Sequence, residues 1–145
     1  MYRSGAEIIY HDAGASSQGL FDVAGAQGKL AIGADLDQGY AEARLARGSS
    51  MSEAAFAIIT SMEKRLDRAL FLLSRELVET GTVRGGARVL SLAEGGVGLA
   101  VNEANRARLA PYSDRIDALA ERIVSGEIRV PADDAQASRF LKELR

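Results

Sequence analysis

Residues 30–38 read Leu-Ala-Ile-Gly-Ala-Asp-Leu-Asp-Gln, and this stretch decides the fold class. Its first five residues form a short apolar run flanked by turn signals, which is typical of a β-strand buried on both faces. Asp35 and Asp37 follow at the carboxyl end of that strand. In open α/β sheets, ligands bind beyond the carboxyl ends of the strands, so either carboxylate is a candidate for ligand binding. The alternative is a turn or helix-capping role.

Strand-like and helix-like segments alternate on both sides of this stretch. Helix caps at Ser16 and Ser17, and an apolar helix face formed by Leu66, Leu70, Leu73 and Leu77 that we expect in the core, support the helix predictions. Strands that alternate with helices of this length imply a mostly parallel sheet, so we predict an α/β fold. The predicted strands cover residues 6–10, 30–34, 57–62 and 88–92. The predicted helices cover residues 18–27, 65–79, 113–125 and the segment after Asp133 or Asp134, with a short helix before a loop at Gly48-Ser49-Ser50.

Length, composition and charge exclude several classes of protein. The 145 residues suffice for one domain, and a net charge of -2 argues against a nucleic-acid partner, which normally meets a basic surface. The chain has no cysteine and one histidine, so we expect no disulfide, no metal and no cofactor. No apolar run is long enough to cross a bilayer. The first residues lack the apolar stretch of a signal peptide, so we expect a cytoplasmic protein if the chain is a complete product.

A second candidate site lies in residues 14–19, Gly-Ala-Ser-Ser-Gln-Gly, between a predicted strand and a predicted helix. A phosphate-binding loop would also lie there, but its lysine is absent, because Leu20 and Phe21 follow the second glycine. The nucleophile elbow of hydrolases fails at Gln18, where it needs glycine. Since no catalytic constellation is complete, we do not expect an enzyme. Two interpretations stay open, a capped helix N-terminus and a polar ligand-binding loop.

Two further polar residues follow predicted strands. Lys64 lies just after residues 57–62 and at the start of a helix, where a cation conflicts with the helix dipole. Such local conflicts are typical of functional residues, although a solvated lysine is the alternative. His11 lies at the end of the first strand, and we predict a structural role for it.

Three segments, taken together and in order, resemble one known family. They are Gly5-Ala6-Glu7-Ile8-Ile9-Tyr10 leading to Ala13-Gly14 and Gly19-Leu20-Phe21; Ala31-Ile32-Gly33-Ala34-Asp35-Leu36-Asp37-Gln38; and Thr60-Ser61-Met62-Glu63-Lys64-Arg65-Leu66-Asp67. Residues 94–100 and 123–131 extend the likeness. The chain resembles the basic membrane protein family, the substrate-binding lipoproteins of purine-nucleoside ABC importers.

The resemblance implies a fold, a ligand and a site. The fold is the type I periplasmic-binding fold, two α/β lobes that close on a ligand. Asp35 and Lys64 match residues that bind ribose hydroxyls, and the loop at Gly14, Ala15 and Ser16 matches a segment that lines the site. A Lys–Asp pair suits a ribose diol, because the ammonium donates and the carboxylate accepts hydrogen bonds. The implied partners are a nucleoside-like ligand and the permease subunits of a cell-surface or periplasmic, membrane-anchored importer.

The chain also departs from the family pattern. The loop after Gly14 lacks the usual Gly-Thr-Gly, the stretch from Gln38 to Thr60 is longer, and the first lobe is missing. We therefore expect the second lobe with its hinge-crossing segments in residues 1–131 and a C-terminal helix in residues 132–145. Weak or no ligand binding by the chain alone and self-association through an exposed sheet edge are further expectations. The alternative function is a ligand-sensing or interaction domain of a cytoplasmic regulator.

Overall fold

A computed structural model of the chain describes residues 1–45 and 52–143. The predicted loop at Gly48-Ser49-Ser50 lies outside the described residues. The chain divides into two compact units, Met1–Pro111 and the segment from Tyr112 onward, and each is described by itself.

The first unit is built on one four-stranded sheet, which confirms the α/β prediction. The strand order is β1-β2-β3-β4; β1, β2 and β3 are parallel, and β4 is antiparallel to β3. Because β2 and β3 run in the same direction in neighbouring positions, their carboxyl ends meet at one edge of the sheet. The strands are β1 (Ile8–Tyr10), β2 (Leu30–Asp35), β3 (Ile58–Lys64) and β4 (Val97–Leu99).

Helices connect and follow the strands close to where the sequence predicts them. The predicted caps at Ser16 and Ser17 are wrong, because Ser16 makes no capping side-chain bond and Ser17 is already the first residue of α1. At the last helix the Oδ1 of Asp133 accepts a hydrogen bond from the Gln136 amide at 2.8 Å, which confirms Asp133 as a cap. The helices are α1 (Ser17–Ala26), α2 (Gln38–Leu45), α3 (Glu53–Ala57), α4 (Leu66–Thr80) and α5 (Arg106–Leu109), then α6 (Ser113–Val124) and α7 (Asp134–Glu143) in the second unit.

The strand predicted at residues 88–92 is wrong. The chain turns back at Ser91, whose carbonyl accepts a hydrogen bond from the Gly96 amide at 2.9 Å. A Cβ at Gly96 would lie 2.7 Å from the Leu90 carbonyl carbon, so the two segments touch through backbone. The edge of β3 is occupied instead by β4, which starts directly after this turn.

The core of the first unit lies between α1, α3 and the adjoining strands. Phe21 and Ala24 of α1 are buried, and Gly25 lets the two helices approach, because a Cβ there would lie 2.7 Å from the Glu53 carbonyl carbon. Alanine and glycine at the contact therefore allow backbone-to-backbone packing. The buried core cluster is Phe21, Ala24, Ala31, Ala57 and Ile58.

The leucine face of α4 does not lie in this core, contrary to the prediction. None of the residues of α4 is buried, and Leu66 and Leu70 are 76% and 66% exposed. The helix has the predicted amphipathic pattern, but no other described helix or strand of the first unit packs extensively on that face, and residues 84–94 leave a cavity beside Leu73. The pattern correctly predicted the helix and not its surroundings.

Candidate functional site

Asp35 and Lys64 meet at the carboxyl edge of the sheet. Each is the last residue of its strand, Asp35 of β2 and Lys64 of β3. The Lys64 Nζ lies 2.5 Å from the Asp35 Oδ1, and the two side chains are 51% and 44% exposed. The sequence placed both residues at strand ends, and the parallel pairing of β2 with β3 brings them together.

The backbone at Asp35 adopts an unusual conformation. Its φ of 72° lies in the left-handed region, and among the described residues Asp35 is the one non-glycine residue with positive φ. Aspartate tolerates this region better than most residues, because its short polar side chain can interact locally. The Leu36 amide then donates to the Ala34 carbonyl at 2.9 Å, so the chain turns sharply as β2 ends. The turn leaves the Asp35 carboxylate at the sheet edge.

The charge of Lys64 is stabilised at this position. The hydrogen-bond-length contact with Asp35 is the largest cause that raises the pKa of Lys64, and the negative charges of Asp35 and Asp12 add to it. The Oδ1 of Asp35 is shielded from solvent, and no donor among the described residues meets it with good hydrogen-bond angles. We therefore describe the contact as a close ion pair, which leaves hydrogen-bonding capacity on both groups for a ligand.

Asp37 fulfils the alternative interpretation, a capping role. Its Oδ1 accepts a hydrogen bond from the Tyr40 amide at 3.0 Å, at the start of α2. Its Oδ2 accepts another from the Asn102 Nδ2 at 2.7 Å, beyond the end of β4. Asp37 thus links α2 to the segment after β4, and both of its oxygens have partners.

A pocket of about 340 Å³ lies beyond the ends of β1 and β2. Asp35 lines it together with Gly14 and Ala15, so the loop and the strand end lie close together. Ser16 is exposed and does not line the pocket, whereas its neighbour Ser17 does. The remaining lining residues are His11, Gln18, Ala34, Leu36, Gln38 and Glu42. We call residues 13–17 the pocket wall.

A larger cavity, of about 820 Å³, lies elsewhere, between α4 and residues 84–94. Its lining includes Leu72, Leu73 and Leu90 and the ion-paired residues Glu76 and Arg88. We regard the smaller pocket as the candidate site, because it alone of the two includes a strand-end carboxylate, that of Asp35. Lys64 does not line this pocket and adjoins it through its contact with Asp35.

The sequence did not predict the role of Gln38, which links the pocket wall to the sheet. Its Oε1 accepts hydrogen bonds from the Ala34 amide at 2.8 Å and from the His11 Nε2 at 3.0 Å. Its Nε2 donates to the Ser17 Oγ at 3.1 Å, and its backbone amide donates to the Ser61 Oγ at 3.2 Å. The signal in the sequence was the position of this glutamine at the end of the Asp-Leu-Asp-Gln motif, but its partners come from distant segments.

His11 has the partners that its predicted structural role requires. Its Nδ1 accepts a hydrogen bond from the Ala13 amide at 3.2 Å, and its ring lies edge-on to Phe21 with the centroids 5.3 Å apart. Since Nδ1 accepts, the proton belongs on Nε2, which then donates to Gln38. His11 therefore joins the core to the pocket wall.

The fold and the strand-end site match one family of transport proteins. The sequence pattern of the family described as "ABC transporter substrate-binding protein PnrA-like" matches residues 1–134. The chain belongs to this family. This confirms the resemblance to basic membrane proteins, and the family is one of binding proteins, not of enzymes.

Named relatives of the chain agree with the family. Basic membrane protein A from Borreliella afzelii is 34% identical over 148 residues, which cover 99% of this chain and 41% of the relative. Basic membrane protein D from Borreliella burgdorferi (strain JD1) is 31% identical over 147 residues, which cover 99% of this chain and 40% of the relative. The chain thus spans about two-fifths of the length of these relatives.

Solved structures share the fold. A solute-binding protein of an ABC transporter system from Aeropyrum pernix K1 superposes with a TM-score of 0.62 and 25% identity, over 99% of this chain and 45% of that one. A second, from Conexibacter woesei DSM 14684, has a TM-score of 0.56 at 23% identity and shows the fold alone. The sheet described above is therefore a lobe of the periplasmic-binding fold. None of the helices in residues 1–45 and 52–143 combines the length and apolar character of a membrane span.

Proposed function

We propose that this chain supplies one wall of the ligand cleft of an ABC importer's substrate-binding protein, and that the ligand is a purine nucleoside or a similar ribosylated compound. Asp35 and Lys64 would bind the sugar hydroxyls, and Gly14 and Ala15 would border the ligand. The proposal extends to the organisation of the chain: residues 1–131 form the second lobe with its hinge-crossing segments, and residues 132–145 form a C-terminal helix.

One observation carries the proposal, the Asp35–Lys64 ion pair at the edge of a pocket. A cation and a carboxylate 2.5 Å apart offer donors and acceptors side by side, which is what two adjacent hydroxyls need. Both side chains are about half exposed, so a ligand can reach them without breaking the core. A ligand without the hydroxyls would leave the remaining donors of Lys64 and the remaining acceptor of Asp35 without partners once the cleft closes, at about 1–3 kcal/mol for each group, so the pair favours sugars.

We propose that this chain supplies one side of the cleft and that another lobe supplies the opposite side. Clamp-like binding proteins enclose the ligand between two lobes, and closure removes it from water. We therefore propose that the other lobe is the first partner of this chain, that the permease is the second, and that the complex works at the cell surface or in the periplasm. Alone, the chain would bind nucleoside weakly. The family match favours this function over a cytoplasmic regulator.

Binding to the isolated chain can be tested by recording amide NMR spectra while adenosine is added to about millimolar concentration. We expect saturable shifts at Gly14, Ala15 and Asp35, and much smaller shifts with 2′,3′-dideoxyadenosine, which has the same base without the diol. Asp35→Asn keeps a residue that tolerates positive φ and removes the charge, so it should weaken adenosine binding about tenfold.

A matched control and a calorimetric measurement complete this test. Asp117→Asn removes a carboxylate from the exposed surface of α6 and should leave the titration unchanged. Equal shifts with adenosine and the dideoxy compound would refute a role for the hydroxyls. Calorimetry that gave low-micromolar affinity for the isolated chain would refute the need for a second lobe.

A further inference from the structure

We infer that Gln38 is the positioning residue of the site: its side-chain amide holds the pocket wall in place beside Asp35. The effect of Gln38 on ligand binding rests on the proposed function above. Its structural role in holding the pocket wall does not. Gln38 is the first residue of α2 and lines the pocket. The hydrogen bonds of its side-chain amide reach three other segments: the residue after β1, strand β2 and helix α1. No neighbouring polar residue of the pocket has that connectivity in the described structure.

The side-chain amide of Gln38 makes three hydrogen bonds, two at Oε1 and one from Nε2. Its Oε1 lies between the Ala34 amide, one residue before Asp35, and the His11 ring, which leads into the pocket wall. Its Nε2 reaches the buried Ser17 at the end of the pocket wall. One side chain therefore connects both ends of the wall to the strand that carries Asp35.

The pocket wall has few other attachments to the sheet. Within it, the Ser16 amide bonds the Ala13 carbonyl at 3.2 Å, and the Ala13 amide bonds the His11 ring. These bonds are local and do not fix the wall relative to β2. The backbone of His11 makes a long bond of 3.4 Å to the Ile32 carbonyl. The wall also continues into β1, which pairs with β2, and into α1, whose Phe21 is buried in the core. The shorter bonds of Gln38 add direct side-chain links from the two ends of the wall to the strand that carries Asp35.

Close packing seats the Gln38 side chain in one position. A Cβ at Gly33 would lie 2.7 Å from the Gln38 Oε1 and would also clash with the Ser61 hydroxyl. Glycine on β2 thus leaves the space that the amide fills. The Ser61 hydroxyl in turn accepts the backbone amide of Gln38, so β3 holds the residue from the other side.

The inference is tested with Gln38→Met, which keeps the length of the side chain and removes the three hydrogen bonds of its amide group. We expect amide hydrogen exchange at Ala34 and in residues 13–17 to rise about tenfold, because these groups lose or loosen their attachment. The ¹⁵N shifts of His11 should move from the Nε2–H form toward a mixture of tautomers, a change that general destabilisation of the fold would not cause. Gln27→Met, at the exposed end of α1, is the matched control and should change neither.

A milder variant keeps the inference testable if Gln38→Met fails to fold. Ser17→Ala removes only the acceptor of the Gln38 Nε2, and exchange in residues 13–17 should rise by a few-fold with the His11 tautomer retained. Unchanged exchange and an unchanged His11 signal in Gln38→Met would overturn the inference, as would unchanged exchange in Ser17→Ala where that variant alone folds.

Ligand titration separates this inference from the proposed function. Gln38→Met should weaken adenosine binding about tenfold and keep the preference for adenosine over 2′,3′-dideoxyadenosine, because Asp35 and Lys64 remain. Loss of the preference with full affinity would overturn the positioning role. If the unaltered chain binds neither compound, the isolated lobe gives no support to the proposed nucleoside, while the exchange and tautomer results still decide the role of Gln38.

Discussion

Helices α1 and α4 are both amphipathic, but in the described structure α1 is packed in the core and α4 is exposed. Helix α1 buries Phe21 and Ala24 and touches the backbone of α3 at Gly25. Helix α4 is longer and has the clearer leucine face, yet none of its residues is buried. An apolar face therefore predicts that a helix needs a covering surface, and it does not say where in the sequence that surface lies.

The chain covers only part of the length of its relatives, and this suggests a reason why α1 is buried and α4 is exposed. The chain matches about 40% of Basic membrane protein D, while 99% of the chain takes part in the match. An uncovered face on α4 fits the proposal that another lobe of the same family packs nearby. The covered region around α1 and the sheet should then be stable by itself, and the region around α4 should depend on a partner.

The largest effect should come from removing one phenylalanine from each helix. Phe21→Ala should lower the free energy of unfolding by about 3–5 kcal/mol, because Phe21 is 1% exposed in the core. Phe71→Ala on α4, where the ring is 54% exposed, should cost less than about 1 kcal/mol. Urea denaturation followed by circular dichroism measures both. Equal losses would show that α4 is as well packed as α1.

A pair of glycines within α1 gives the next largest effect. Gly25→Ala should destabilise the fold by about 1–3 kcal/mol, because the new Cβ meets the Glu53 backbone, which cannot move freely. Gly19→Ala should stabilise it by about 0.5–1 kcal/mol, because nothing lies within 4 Å and alanine favours the helix. Thermal unfolding distinguishes the two. A neutral Gly25→Ala would mean that α1 and α3 can separate without cost.

Self-association should report on the uncovered face of α4. We expect the apparent mass from light scattering to rise with protein concentration, through this face or the open edge at β1, and Leu70→Lys to reduce the rise. Ser74→Lys, which adds the same charge at an exposed polar position of α4, serves as the control. A monomer at all concentrations would contradict the expectation and would show that the exposed leucines are tolerated.

The smallest effect concerns the well-packed region around α1 and the sheet, and it comes from the Asp35–Lys64 pair at the end of β2 and β3. Since Asp35 raises the pKa of Lys64 in the folded chain, the pair contributes stability below the ordinary lysine pKa of 10.5 and loses it as the pH rises through the folded value. NMR titration of the Lys64 side chain should show this pKa fall back toward 10.5 in Asp35→Asn. Lys142 of α7 is the reference lysine. An unchanged Lys64 titration in Asp35→Asn would contradict the ion pair.

Strand-end residues were the most predictable part of the site. The meeting of Asp35 and Lys64 follows from a rule of parallel sheets, because both residues end neighbouring strands. Gln38 was unpredictable for the opposite reason: its four partners come from the residue after β1, from α1, from β2 and from β3, and no spacing in the sequence encodes that meeting. Long-range hydrogen bonds of this kind depend on the assembled fold.

The errors in the fold have physical causes as well. Residues 88–92 have the composition of a strand, but the adjacent edge of β3 belongs to β4 and glycines at both ends allow the chain to turn. The short helix α3 was missed because its alanine-rich sequence runs directly into β3. Ser52 could have indicated its start, since the Ser52 Oγ accepts a hydrogen bond from the Ala55 amide at 3.1 Å. Local composition could not decide either case, because pairing partners and packing override propensity.

The left-handed backbone at Asp35 has a consequence for the evolution and engineering of such lobes. Glycine would adopt this conformation without strain, so Asp35→Gly would relieve the backbone and delete the carboxylate in a single step. Stability and ligand recognition therefore favour different residues at one position. Selection for stability alone would favour glycine at this position. A lobe that keeps aspartate retains a strained backbone conformation together with a negative charge at the cleft.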